Sequence, residues 1–396
     1  MADMPLTLRV AAQIQDGDHI LPFAWDGEFF LPLGAGRQVG DSIEIELRQL
    51  PSPRETTRDI ERGIFKSVRI LFQKIASSYL GTSYSYPQLA AVSWSPESDL
   101  RYETATEVVR AAVAKANRIL LHVHGILGDT LGMTASVRAE ITPPDALPQK
   151  ISDRYDLILA FDYENINTSI EATARDLKQH LAAIDLGADH GKTLHVVAHS
   201  MGGLVSRWFI EREGGNRVVQ HLFMLGTPHA GSPWPTIQNW ANTALAIGLN
   251  GLGQISWTAR LLAYLMRAIE KVDVALDQMV PSSPFLVELA SSTDPRVAYT
   301  LLVGNTSIMR AAVESGALGD LLARLAPQRV LHAATAAAFL EAPNDIAVSV
   351  ASAQAIPPGR TPKQNVAEVA CDHVTFFSSD AGRQALLAQL RRFEHF

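Results

Sequence analysis

The residues with the clearest chemical potential are His199, Ser200, Met201, Gly202 and Gly203. They follow the apolar stretch LHVVA and precede GGLVSRWFI, which reads as a helix. A serine on such a sharp strand-to-helix turn is lifted above the sheet, and small neighbours tolerate its strained backbone. The helix N-terminus that follows favours negative charge developing near the hydroxyl. The plainer reading is a capping serine on an ordinary turn, but the strand before and helix after favour a nucleophile. A serine nucleophile also needs a base and an acid to orient it. The histidines downstream are His221, His229, His332, His373 and His395, and the acids include Asp294, Asp320, Glu341, Asp345 and Asp372. Upstream, His124 and Gly125 end the apolar run RILLHV, with Ile126 and Leu127 next. Alone, this is a strand closing in a turn.

Such residues need a scaffold, and the chain supplies a regular one. RILLHVHG (118–125), DLILAFDY (156–163), TLHVVAHS (193–200), VVQHLFMLGTP (218–228) and VAYTLLVGN (297–305) read as strands. Between the second and third, Thr168 and Glu171 have capping-box spacing, and Ile170, Ala174, Leu177, Leu181 and Ile184 recur helically until Gly187. A closing helix carries Leu386, Leu390 and Phe393. Strands that are apolar throughout and alternate with amphipathic helices predict a mostly parallel α/β sheet with helices on both faces.

Residues 1–100 read as a small β-containing N-terminal module, separate from a domain at 101–396. Short strands are expected in LTLRVAA, on either side of a turn at Asp26 and Gly27, and in DSIEIELRQL, where Ile43, Ile45 and Leu47 alternate. Asp59 to Leu80 reads as a helix with Ile60, Ile64, Val68, Leu71, Ile75 and Leu80 on one face. Residues 235–292 interrupt the strand–helix alternation as a helical, lid-like insertion. Ile255, Leu262, Leu265, Ile269 and Val272 share one face there, opposite Arg260, Arg267, Glu270 and Lys271. Such a cover would close over a crevice, or meet a membrane surface or micelle when open.

Composition excludes several classes. Of 396 residues, 47% are hydrophobic and 19% charged, which is too apolar for a disordered chain. The net charge of −7 and the lack of a basic stretch argue against a nucleic-acid partner. The single cysteine, Cys371, excludes an internal disulfide framework and a Cys-rich zinc module. Neither a signal peptide nor a long uncharged apolar window is evident, so a soluble, cytoplasmic protein is expected. There is no phosphate-binding loop of the G-x-x-x-x-G-K-[ST] type and no HExxH helix. HVHG lacks a companion carboxylate at suitable spacing, so neither metal nor cofactor is expected. Oligomeric state is not legible.

AHSMGG resembles the nucleophile elbow of lipase-like α/β-hydrolases, with Ala198 in place of the pattern's first glycine. The HG pair after RILLHV resembles that superfamily's oxyanion loop. GTPHAGSP, QMVPSSPFLVEL (278–289) and PNDIAVSVASA are similar to further segments of such enzymes. The likeness runs from about residue 118 to 380 and leaves the first hundred residues outside. It implies an α/β-hydrolase fold with Ser200 as nucleophile and His373 as base, because the family keeps its base just before the last helix. The N-D-G-x-V pattern implies Asp345 as the acid, with Ile346 replacing the glycine. The backbone N–H groups of Ile126 and Met201 would form the oxyanion hole. His124, Gly125, Leu127, His199 and His229 would line the substrate site. The implied activity is hydrolysis of carboxylic esters, lipid or acyl, through an acyl-enzyme. Acyl transfer would need the same residues, and a catalytically silent hydrolase-fold binding module is the reading from a different class.

Overall fold

The computed structural model describes residues 87–232, 274–308 and 342–393, apart from 96–99, 127–129, 144–146, 164–167, 346 and 374, together with six strands between residues 6 and 75. The chain divides into two units. One comprises Met1–Tyr84, Gln238–Lys271 and Gly316–Gln328; the other comprises Ser85–Ile237, Val272–Ser315 and Arg329–Phe396.

The first unit holds an antiparallel sheet of β1 (Leu6–Ala11), β2 (His19–Trp25), β3 (Phe30–Pro32), β4 (Gly36–Val39), β5 (Ser42–Leu47) and β6 (Arg69–Ile75). Its order is β1-β5-β4-β2-β3, with β6 also paired to β2. The strands expected from LTLRVAA, the segments flanking Asp26–Gly27 and DSIEIELRQL are present. The helix expected over Asp59–Leu80 is corrected: Arg69–Ile75 is a strand, in register with β2 from His19↔Ile75 to Trp25↔Arg69. Its Ile70, Leu71 and Phe72 suit either structure, and pairing with β2 gives the backbone a ladder that helical periodicity does not reveal.

The second unit is built on an eight-stranded sheet ordered β14-β13-β12-β11-β9-β10-β7-β8. In chain order its elements are β7 (Gln88–Trp94), β8 (Leu100–Glu103), α1 (Thr106–Lys115), β9 (Arg118–Val123), α2 (Leu131–Ser136) and β10 (Leu157–Asp162). There follow α3 (Ile170–Ala183), β11 (Thr193–His199), α4 (Met201–Arg212), β12 (His221–Leu225), α5 (Val274–Gln278) and α6 (Pro284–Ala290). The unit closes with β13 (Ala298–Gly304), α7 (Val350–Ala353), β14 (Asn365–Val369) and α8 (Asp380–Arg392). The six strands from β14 to β10 run parallel, and β7 is antiparallel to both of its neighbours, β10 and β8. This is the expected α/β-hydrolase architecture. The sheet includes Gln88–Trp94, and the larger unit begins at Ser85.

Strand interiors such as Leu120, Leu121, Val197, Phe223 and Leu302 are buried because elements cover both faces of the sheet. On one face Leu120, Val197, Phe223 and Leu302 share a core with Leu386, Leu387 and Leu390 of α8. Helix α3 buries Ile170, Ala174, Leu177 and Leu181, its expected stripe. Its N-cap is Ser169, whose hydroxyl accepts from the Ala172 N–H at 3.2 Å, and not Thr168. Glu171 instead accepts from Gln278 at 2.6 Å. Residues 233–273, which hold Leu262, Leu265 and most of the expected cover, lie outside the described residues, as does His332. No helix among the described residues is long and apolar enough to cross a membrane.

Candidate active site

In a parallel sheet, functional groups gather at the carboxyl ends of the strands. Here β9 leads into His124, β11 into Ser200, β12 into Gly226 and β13 into Asn305, and β14 ends at Val369, shortly before Cys371–His373. Ser200 has φ 52° and ψ −125°, a conformation that L-residues rarely adopt, and its N–H donates to the Leu225 carbonyl at 2.8 Å. Neighbouring backbones come very close. A Cβ on Gly202 would lie 2.3 Å from the His124 carbonyl oxygen, and one on Gly125 would lie 2.6 Å from the Ser200 Cβ. Both positions therefore require glycine. The Gly125 loop is thus laid against the serine.

His373 Nε2 lies 2.9 Å from Ser200 Oγ, and its Nδ1 lies 2.8 Å from Asp345 Oδ2. Asp345 is buried. Its Oδ1 accepts the N–H groups of Ala347 at 3.0 Å and Val348 at 2.7 Å, leaving Oδ2 directed at the imidazole. A carboxylate on Nδ1 places that proton there and turns Nε2 into an acceptor for the serine proton. The His373 N–H also donates to the Asp345 carbonyl at 2.8 Å. Asp372 stays local: its Oδ1 accepts the Thr375 N–H at 3.0 Å. The expected Ser200, His373 and Asp345 therefore meet. This arrangement can remove a proton from the serine as its oxygen attacks an acyl carbonyl.

His124 is buried, and its Nδ1–H donates to the Gly125 carbonyl at 2.7 Å. Its Nε2 accepts the Tyr163 N–H at 3.1 Å, while the Tyr163 hydroxyl donates to the His124 carbonyl at 2.6 Å. The two rings stack, with centroids 4.2 Å apart. C=O and N–H point opposite ways across a trans peptide, so fixing the Gly125 carbonyl also fixes the direction of the Ile126 N–H. Met201 opens α4, whose first-turn N–H groups have no acceptor within the helix. Leu127 lies outside the described residues. Tyr163 was not singled out in the sequence. The available signal was its place just past β10, beside the end of β9, in the register Phe161↔Val123.

His199 is half-buried beside the base. Its Nε2–H donates to the His373 carbonyl at 2.7 Å, and burial with the nearby His373 lowers its pKa to about 3. His229 is buried, and its Nδ1 accepts from Arg207 at 3.3 Å, within a charged group that sequence reading did not find. Among the described residues no cluster of three or more His, Cys, Asp or Glu is arranged to hold a metal.

Solved structures similar to this chain include the mature Bacillus licheniformis lipase BlEst2, at 18% identity and TM-score 0.42, covering 70% of this chain and 92% of that one. A structure from a study of carboxylesterases of the thaumarchaeon Nitrososphaera gargenis matches at 12% identity and TM-score 0.40, covering 70% and 91%. The Vlm2 thioesterase domain matches at 8% identity and TM-score 0.38, covering 78% and 98%. The activities in those names belong to those proteins. No curated protein sequence matches the chain. The model of one family, described as "Domain of unknown function (DUF7379)", matches residues 83–391, most of the chain, and the protein belongs to that family.

Proposed function

We propose that this protein is a serine hydrolase that cleaves carboxylic esters through an acyl-enzyme on Ser200. The supporting observation is the continuous relay Ser200 Oγ–His373 Nε2–His373 Nδ1–Asp345 Oδ2, at 2.9 and 2.8 Å. His373 takes the Ser200 proton as the hydroxyl attacks the acyl carbonyl, and Asp345 orients the ring and stabilises its cation. The N–H groups of Ile126 and Met201 receive the oxyanion, a contribution typically worth on the order of 10²–10³ in rate. The imidazolium returns the proton to the departing alcohol. Water, activated by the same ring, then releases the acid. Gly125, beside the serine, would line the substrate site, and the substrates would be lipid or acyl esters.

The test is a fluorophosphonate probe on the full chain, with Ser200→Ala as control and a chain-length series of nitrophenyl esters. The expected result is covalent labelling at Ser200 and ester turnover, both lost in Ser200→Ala with Tm changed by no more than a few degrees. An unlabelled wild-type protein would leave a silent binding module. Labelling accompanied by acyl transfer to an added alcohol in preference to water would make it a transferase.

A further inference from the structure

Glu211 on α4 is shared by two arginines. Its Oε1 accepts from Arg207 Nε at 2.8 Å and from the Tyr299 hydroxyl at 3.0 Å. Its Oε2 accepts from Arg360 Nη2 at 2.8 Å and from Arg207 Nη2 at 3.3 Å. Side-chain exposure is 1% for Arg207, 0% for Glu211 and 5% for Arg360, so this is an interior ionic group. Two guanidinium charges on one carboxylate leave one positive charge in excess. Tyr299 keeps its proton, because it donates to Glu211. His229 accepts from Arg207 on Nδ1, so it is neutral with its proton on Nε2. Asp294, which accepts the Thr361 N–H next to Arg360 at 2.9 Å and the Arg296 N–H at 3.0 Å, is exposed to solvent.

Buried polar atoms are nearly always paired, and charged ones most of all. Here Arg360 Nε, Arg360 Nη1 and His229 Nε2 are buried donors that have no acceptor among the described residues. All three donate and none accepts, so a ligand satisfying them must be an acceptor. We infer that this group binds one small monovalent anion of the halide class, held by Arg360 and His229, which cancels the excess charge. Burial first, and then the charges of Arg207 and Arg360, push the His229 pKa down, which agrees with the two arginines sharing one electrostatic neighbourhood with it. One excess charge matches a single negative charge and disfavours a dianion. The inference does not depend on the roles proposed for Ser200, His373 and Asp345.

The experiment uses the full chain in gluconate buffer at constant ionic strength, with chloride replacing gluconate stepwise. The wild type should show a saturable rise in Tm, on the order of 5 °C at a hundredfold excess over Kd. Arg360→Met leaves Arg207 and Glu211 balanced, so it should lose the chloride response and match or exceed the wild-type Tm in gluconate. A wild-type Tm indifferent to chloride, or the same chloride response in Arg360→Met, overturns the inference. If Arg360→Met does not fold, wild-type crystals soaked in bromide decide it. An anomalous peak within hydrogen-bond reach of Arg360 supports the site, and no peak there overturns it.

Discussion

The imidazole of His199 donates from Nε2 to the backbone carbonyl of His373 at 2.7 Å. On the other side, the His373 N–H donates to the Asp345 carbonyl at 2.8 Å. The residue that precedes the serine therefore grips the backbone of the base, and the acid's backbone grips it from the opposite side. A neutral His199 suits this task, since its Nε2–H is the donor the carbonyl needs.

His199→Phe keeps an aromatic ring but removes that donor. Steady-state kinetics on a soluble nitrophenyl ester should show kcat lowered roughly tenfold with KM little changed, because the loss is in base placement. The acid limb of the pH–rate profile, where the base becomes protonated, should move as well. A raised KM with unchanged kcat would make His199 a pocket-lining residue instead.

Asp345 and Asp372 are both buried acids, but they have different partners. Asp345→Asn should lower kcat by about 10⁴, since an amide cannot hold the imidazole in the required tautomer. Asp372→Asn should cost less than about tenfold, because Asp372 serves the Thr375 N–H. Comparing the two variants' kcat values checks this, and the opposite ranking would reassign the acid.

Tyr163→Phe deletes the hydroxyl that donates to the His124 carbonyl at 2.6 Å while keeping the stacked ring. A looser His124–Gly125 backbone should misdirect the Ile126 N–H, lowering kcat on the order of tenfold. KM for a short ester should hold within about twofold. If thermal stability falls and kcat does not, Tyr163 supports packing alone.

Acid should unfold this protein early. Burial lowers the pKa of His122 and of His195 to about 4 and that of His221 to about 3. Above pH 6.5 these rings are neutral in both states and contribute no pH dependence. As pH falls below 6.5 the unfolded chain takes up protons that the folded chain refuses, so stability declines until about pH 4, or 3 for His221. His122 alone accounts for on the order of 3 kcal/mol across that window.

Neither ring nitrogen of His122 makes a well-formed hydrogen bond, the Leu159 backbone offering only a weak one. His122→Leu should therefore leave Tm at pH 7 equal or higher, and flatten the acid limb of a urea-midpoint-versus-pH curve by about one proton. An unchanged slope would show that His122 is not among the groups responsible.

The parts of this protein legible in its sequence are those decided over a few adjacent residues. Continuous apolar runs such as RILLHV and TLHVVA become buried parallel strands because a sheet covered on both faces needs apolar residues on each. The turn at Ser200 was visible because a strand, small residues and a helix follow one another directly. Local signals reached their limit at α3, where Ser169 rather than Thr168 caps, and at Arg69–Ile75, where pairing with β2 replaced a helical pattern. The meeting of Asp345 with His373 joins residues 28 apart, and that of His124 with Tyr163 joins residues 39 apart. Sheet order decides both, by setting β13 beside β14 and β9 beside β10. The group around Glu211 lay furthest from reach, because Arg360 comes to it across 149 residues. Its charge imbalance exists only once folding has excluded water from all three side chains, and no spacing along the chain encodes that exclusion.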